Sequence, residues 1–227
     1  MAHDPFLDPI RETLHETAAL HALSKAAALG RVMALGIDVQ QEYFFKPRLI
    51  AAGAEKTEVE TFGLIATNIH GFLCEMDHIA PQIPRAYTVH TRIRKPKVWT
   101  AGALRNELAI KSRPQDMLRA KQFCDPFIES GLDEDVAQHN PLVILAFGGV
   151  LEYCLGAGII TATDMYNKNV ILMPDLVAPK GGGNAQTVRA HFEIAQKPKT
   201  QGWVALADSH KVLKTLRTQA PAHQPVH

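Results

Sequence analysis

Two kinds of segment alternate along the chain. Short unbroken apolar runs occur at Val32-Met33-Ala34-Leu35-Gly36-Ile37, Leu142-Val143-Ile144-Leu145-Ala146-Phe147, Val170-Ile171-Leu172-Met173 and Trp203-Val204-Ala205-Leu206. Runs of this length, bounded by glycine or charge, predict strands buried on both faces. Ala86-Tyr87-Thr88-Val89-His90 reads as another strand, and Met117 to Lys121 as a weaker one. Elsewhere apolar residues recur at three- and four-residue steps. Val59, Phe62, Ile65, Ile69, Phe72, Met76 and Ile79 mark an amphipathic helix. Asp8-Pro9 reads as an N-cap and a first-turn proline, opening a helix through Leu14, Ala18, Leu20 and Leu23 that stops at Gly30. Further helices are expected near Cys154, around 184–195 and after 207. Strands alternating with helices predict a parallel sheet in a layered α/β domain.

Length and composition narrow this picture. The 227 residues suit one α/β domain, and 46% hydrophobic with 21% charged residues excludes a disordered chain or a disulfide knot. Lys and Arg total 24 against 23 Asp and Glu, a formal charge of +1. No global field therefore draws the protein to nucleic acid or to a membrane surface. No apolar run approaches the ~20 residues of a membrane span. Asp4, Asp8, Glu12 and Glu16 stand where a secretion signal would have a basic start and an apolar centre. Three widely spaced cysteines, Cys74, Cys124 and Cys154, fit free thiols in a reducing, cytoplasmic compartment. The polar tail from Thr218 to His227, with two prolines, is expected to be loose.

The most informative passage is Phe147-Gly148-Gly149-Val150-Leu151-Glu152-Tyr153-Cys154, a strand that breaks at two glycines and enters a helix. Ligands of open parallel sheets bind beyond the carboxyl ends of strands. A cysteine in a first helical turn there feels the positive end of the helix dipole, which favours thiolate. Backbone N–H groups of that turn can hold an oxyanion. The alternative is a buried cysteine used as a small apolar residue. Asp38 ends the first strand and is either an active-site base or a cap for the next segment. Lys121 ends the weakest strand and, by itself, reads as a solvated lysine. His70, Cys74 and His78 have a spacing that suits a soft metal, yet they sit where the apolar stripe of their helix meets solvent. Gly181-Gly182-Gly183 lacks the spacing of a phosphate loop and is expected to be mobile.

Charge is uneven locally. From Arg85 to Lys121 there are ten Lys or Arg against Glu107 and Asp116, a balance of +8, so the rest of the chain carries −7. Arg92, Arg94, Lys95 and Lys97 follow the second strand. They suit an anionic substrate, with a solvated loop or a subunit contact as alternatives.

These residues converge on a resemblance. Asp38-Val39-Gln40-Gln41-Glu42-Tyr43-Phe44 resembles the D-x-Q-x-D-F segment of the isochorismatase-like cysteine hydrolases, with Glu42 and Tyr43 as mild variants. Lys121-Gln122-Phe123-Cys124-Asp125-Pro126-Phe127-Ile128-Glu129-Ser130-Gly131-Leu132 is similar to the family's lysine strand and the turn after it. Gly148 to Cys154 is similar to its G-V-A-T-D-Y-C-V, and Val170 to Asp175 to its following strand. The resemblance runs from about Arg31 to Leu216. It implies a helical extension over 1–30, a hydrolase domain over 31–217 and a tail over 218–227. The implied fold is a six-stranded parallel sheet, order 3-2-1-4-5-6, between helices.

The resemblance also implies roles. Cys154 would be the nucleophile, Asp38 the general acid/base and Lys121 the cation holding both. A cis peptide at Gly149-Val150 would turn the Val150 N–H toward the site beside that of Cys154, forming an oxyanion hole. Nicotinamidases of the family hold a metal with an Asp and two His after the second strand. Between Ile79 and Gln115 this chain has no Asp and only His90. Neither a metal nor any other cofactor is therefore expected. Siderophore-type isochorismate hydrolases often lack the cysteine, so Cys154 favours an amidohydrolase. Gly149, Val150 and Leu151 replace the usual V-A-T and reshape that part of the pocket. The expected function is metal-independent cleavage of a C–N bond in a small amide, carbamoyl or ureido compound bearing a carboxylate, which Arg92 or Arg94 would bind. A homo-oligomer, dimer or tetramer, is expected. The rival readings are a vinyl ether hydrolase of isochorismatase type and a non-catalytic binding protein on the same fold.

Overall fold

The computed structural model describes residues 11–12, 14–44, 46–51, 53–91, 100–180, 182–190, 193–194 and 202–219. Six parallel strands form its central sheet: β1 (Val32–Ile37), β2 (Arg85–His90), β3 (Met117–Lys121), β4 (Val143–Gly149), β5 (Asn169–Ala178) and β6 (Val204–Leu206). Their order is 3-2-1-4-5-6, as the resemblance implies. β1 and β4 are central and buried along their whole length, which is why they read as unbroken apolar runs. β3 is an edge strand, half-buried from Met117 to Ala120, hence its weak pattern.

Helices cover both faces: α1 (Glu16–Ala28), α2 (Lys56–Ile79), α3 (Ala101–Glu107), α4 (Leu132–His139), α5 (Gly156–Asp164), α6 (Ala185–Ala190) and α7 (Ser209–Arg217). Strand side chains alternate between two cores. Ala34, Tyr87, Leu145 and Phe147 pack with the apolar stripe of α2 and with Ala19, Leu23 and Ala26 of α1. Met33, Leu35, Ile37, Ile144 and Ala146 pack with Leu132, Val136, Cys154 and Ile159 on the other face. Gly36 is required on the first face. A Cβ there would lie 2.6 Å from the Tyr87 ring and 2.9 Å from that of Phe147.

Several elements differ from expectation. The first helix starts at Glu16, not at Pro9, with the His15 side chain accepting from the Thr17 N–H. Arg11–Glu12 is extended instead and pairs in parallel with Glu193–Ile194. This hydrogen bonding draws the segment away from the helix that its apolar spacing suggests. Asp8 and Pro9 lie outside the described residues. The expected helix over 184–195 is confined to Ala185–Ala190, since Glu193–Ile194 is strand. β5 runs past Met173 to Ala178, and its register against β4 shifts between Ala146 and Gly148. That shift accommodates Pro174, which has no N–H for the ladder. Beyond Gln219 the tail is outside the described residues. Among the described residues no helix is long and apolar enough to cross a membrane.

Candidate active site

Three strand ends supply the site. β1 finishes at Ile37, paired with Thr88 of β2 and Gly148 of β4. Asp38 follows with φ +50°, a left-handed turn that takes the chain out of the sheet. Its N–H still bonds the Thr88 carbonyl at 3.1 Å. Gly148 has φ +112°, and a Cβ there would come within 2.1 Å of the Ile37 carbonyl oxygen. The two strand ends therefore touch backbone to backbone, which only glycine permits.

Lys121 ends β3 opposite His90 of β2, so it stands two strands from Asp38. Strands lie ~4.8 Å apart, so the separation is ~10 Å, which the lysine and aspartate side chains bridge together. Its Nζ lies 2.9 Å from Asp38 Oδ2, with both side chains buried. Nζ also donates to the carbonyl oxygens of Phe123 at 3.1 Å and Cys124 at 3.3 Å. An ammonium has three N–H donors, and all three are matched here. The solvated lysine expected from the weak β3 pattern is thus fully buried, because the loop after the strand folds back over it. Thr88 Oγ1 donates weakly to Asp38 Oδ1 at 3.5 Å.

Cys154 reaches the pair from the β4 side. The Gly149–Val150 peptide is cis. A wide turn over Leu151–Leu155 follows, with the Leu155 N–H on the Val150 carbonyl at 3.3 Å and non-helical angles at Tyr153. Wide turns of this kind are frequent at functional sites. Regular helix begins at Gly156, so Cys154 lies just ahead of α5 rather than in its first turn. The thiol is 9% exposed and lies beside Asp38 and Lys121, whose opposite charges both act on it.

Electrostatics follow from burial. Desolvation raises the Asp38 carboxyl above the ordinary range, and the Lys121 charge opposes it most strongly. Burial also pushes the Cys154 thiol well above its usual value, and the neighbouring Asp38 charge pushes the same way. Burial here works against the thiolate that a helix dipole would favour. Asp38 stands beside the thiol as a base that could take its proton.

Asp38, Lys121, Cys154 and the Gly149–Val150 turn meet at one end of the sheet. Arg92, Arg94, Lys95 and Lys97 lie outside the described residues. His70 and Cys74 make a 3.6 Å contact on the exposed side of α2, and Asp77 turns instead to Arg85 at 2.7 Å. Among the described residues no three His, Cys, Asp or Glu side chains converge as metal ligands. Gln40 is a supporting residue with no role foreseen in the sequence. It is buried, donates through Nε2 to the His90 carbonyl at 3.2 Å and accepts the His90 N–H. Its position two residues after a strand-end acid was the available signal.

No protein-family sequence model matches the chain, and comparison with curated protein sequences finds no match. Solved structures do match. A cysteine hydrolase from Pseudomonas syringae pv. phaseolicola superposes with a TM-score of 0.58 at 16% identity, covering 84% of this chain and 94% of its own. An isochorismatase family protein from Burkholderia thailandensis gives 0.58 at 15%, covering 82% and 96%. N-carbamoylsarcosine amidase from Thermoplasma acidophilum gives 0.52 at 14%, covering 74% and 99%. The fold is that of the isochorismatase-like hydrolases.

Proposed function

We propose that this protein is a cysteine hydrolase of the isochorismatase-like superfamily. It cleaves a C–N bond of a small amide, carbamoyl or ureido compound through a thioester and needs no metal. The observation that carries this reading is the convergence of Asp38, Lys121 and Cys154 from three strand ends into one buried cluster. A buried acid and cation in contact, with a thiol beside them, are costly as structure alone and useful as chemistry. The shared fold of N-carbamoylsarcosine amidase supports a carbamoyl or ureido substrate.

In this mechanism Asp38 takes the thiol proton as Cys154 attacks the carbonyl carbon. The negative charge passes from carboxylate to sulfur while Lys121 faces both, so the cluster's net charge does not change. The tetrahedral oxyanion rests on the Val150 and Cys154 N–H groups, each donor contributing ~2.7–4 kcal/mol of barrier lowering. Asp38 returns its proton to the leaving nitrogen. Water, deprotonated by the same carboxylate, then hydrolyses the thioester. A carboxylate on the substrate would pair with Arg92 or Arg94. The working form is a homo-oligomer in the cytoplasm, with a small molecule as its partner. A screen over small amides, ureido acids and isochorismate, reading ammonia and pyruvate, tests the reading. Ammonia release from an amide or ureido acid supports it, and pyruvate from isochorismate alone would replace it.

A further inference from the structure

The loop between β3 and α4 holds a second set of contacts. Asp125 Oδ1 accepts the Phe127 N–H at 2.9 Å, which closes the loop on itself. Asp125 Oδ2 accepts from Thr161 Oγ1 at 2.6 Å. Thr161 is a buried residue of α5, the helix that follows the Cys154 turn. Around this bond the loop and helix are pressed together. A Cβ on Gly158 would lie 2.6 Å from the Pro126 ring, and Phe127 stacks on Tyr166 with ring centroids 4.9 Å apart. The residues just before Asp125 are Phe123 and Cys124, whose carbonyls hold the Lys121 ammonium. One short side-chain bond thus joins the segment that aims Lys121 to the helix that follows Cys154.

We propose that Asp125, through its bond to Thr161, is a positioning residue: it holds the Phe123 and Cys124 carbonyls on Lys121 and so fixes the Asp38–Lys121 pair in front of the thiol. The inference rests on the reading of Cys154 as a nucleophile served by Asp38. Two carbonyl oxygens cannot stay aimed at an ammonium unless their loop is anchored, and a carboxylate-to-hydroxyl bond is a strong anchor. When the anchor goes, Lys121 is held less well and stabilises the Asp38 carboxylate less. Asp38 then becomes available as a base only at higher pH. Neither Asp125 nor Thr161 touches the reacting atoms.

The test is the rate at which iodoacetamide alkylates Cys154, followed by peptide mass spectrometry across a pH series. Wild type is compared with Thr161→Val, Thr161→Ser and Asp125→Asn, each checked for fold by near-ultraviolet circular dichroism. Thr161→Val should move the pH–rate profile upward by about half a unit, a roughly threefold slower reaction at fixed pH. Thr161→Ser, which keeps the hydroxyl, should restore the wild-type profile. Asp125→Asn serves where Thr161→Val does not fold and should shift the profile in the same direction. A folded Thr161→Val with the wild-type profile overturns the positioning role and leaves the nucleophile intact. A wild-type Cys154 inert at every pH overturns the nucleophile itself, and the positioning role with it.

Discussion

Lys121→Met removes a charge while keeping most of a buried side chain's volume, and its consequences are set by Asp38. In the native protein both side chains are buried and 2.9 Å apart. Removing one partner of such a pair costs about 3–5 kcal/mol, because the other charge is left uncompensated. The cost depends on pH. Burial raises the Asp38 carboxyl above its unfolded value of 3.8. Between those two values the folded state holds a proton that the unfolded state has lost, so stability falls as pH rises, by at most ~1.36 kcal/mol per unit. The fall ends once pH passes the folded-state value. Lys121 lowers that value, so without it the fall continues to higher pH. In acid Asp38 is protonated in both proteins, and the variant should match wild type closely. The gap should then open with rising pH, reaching about 3–5 kcal/mol over about two to four units. Urea denaturation at pH 5 and pH 8, followed by circular dichroism, reads this directly. An equal loss at both pH values would refute the argument, since it would mean that Lys121 contributes packing and not charge.

Other expectations are more local. Gly148→Ala should lose more than about 2 kcal/mol in urea denaturation, because its Cβ meets the Ile37 carbonyl at 2.1 Å and its φ is +112°. Activity should survive exhaustive dialysis against a chelator. Loss restored by Zn²⁺ or Fe²⁺ would reopen the His70, Cys74 and His78 positions. Arg92→Ala and Arg94→Ala should raise KM for a carboxylate substrate about tenfold or more and spare a neutral analogue, since a charge-assisted bond is worth ~1.5–3 kcal/mol. If both variants treat acid and neutral substrates as wild type does, the basic segment does not bind substrate.

The central strands were legible because burial on both faces leaves an unbroken apolar run, as in Val32–Ile37 and Val143–Gly149. Edge strands carry a weaker signal, and Lys121 shows why that matters. Nothing in Met117–Lys121 announces a buried cation, because its burial comes from the loop that follows. Asp38 alone was indistinguishable from a cap, since its partners arrive from strands 50 to 120 residues away. The two glycines at 148 and 149 marked a break. The contact with Ile37 that demands the first of them is long-range and invisible in sequence. The first helix was misread because apolar spacing continues through Ile10 and Leu14, while a tertiary pairing with Glu193–Ile194 holds Arg11–Glu12 extended. The burial that opposes thiolate formation was missed for a related reason: a dipole can be read from local sequence, and desolvation cannot.

The central claim is that Cys154 is the nucleophile, and Cys154→Ala tests it most directly. On the substrate found by the screen, ammonia release from this variant should fall by about 10⁴-fold or more, while its circular dichroism and urea midpoint stay close to wild type. Ammonia release undiminished in a folded Cys154→Ala protein would contradict the covalent mechanism.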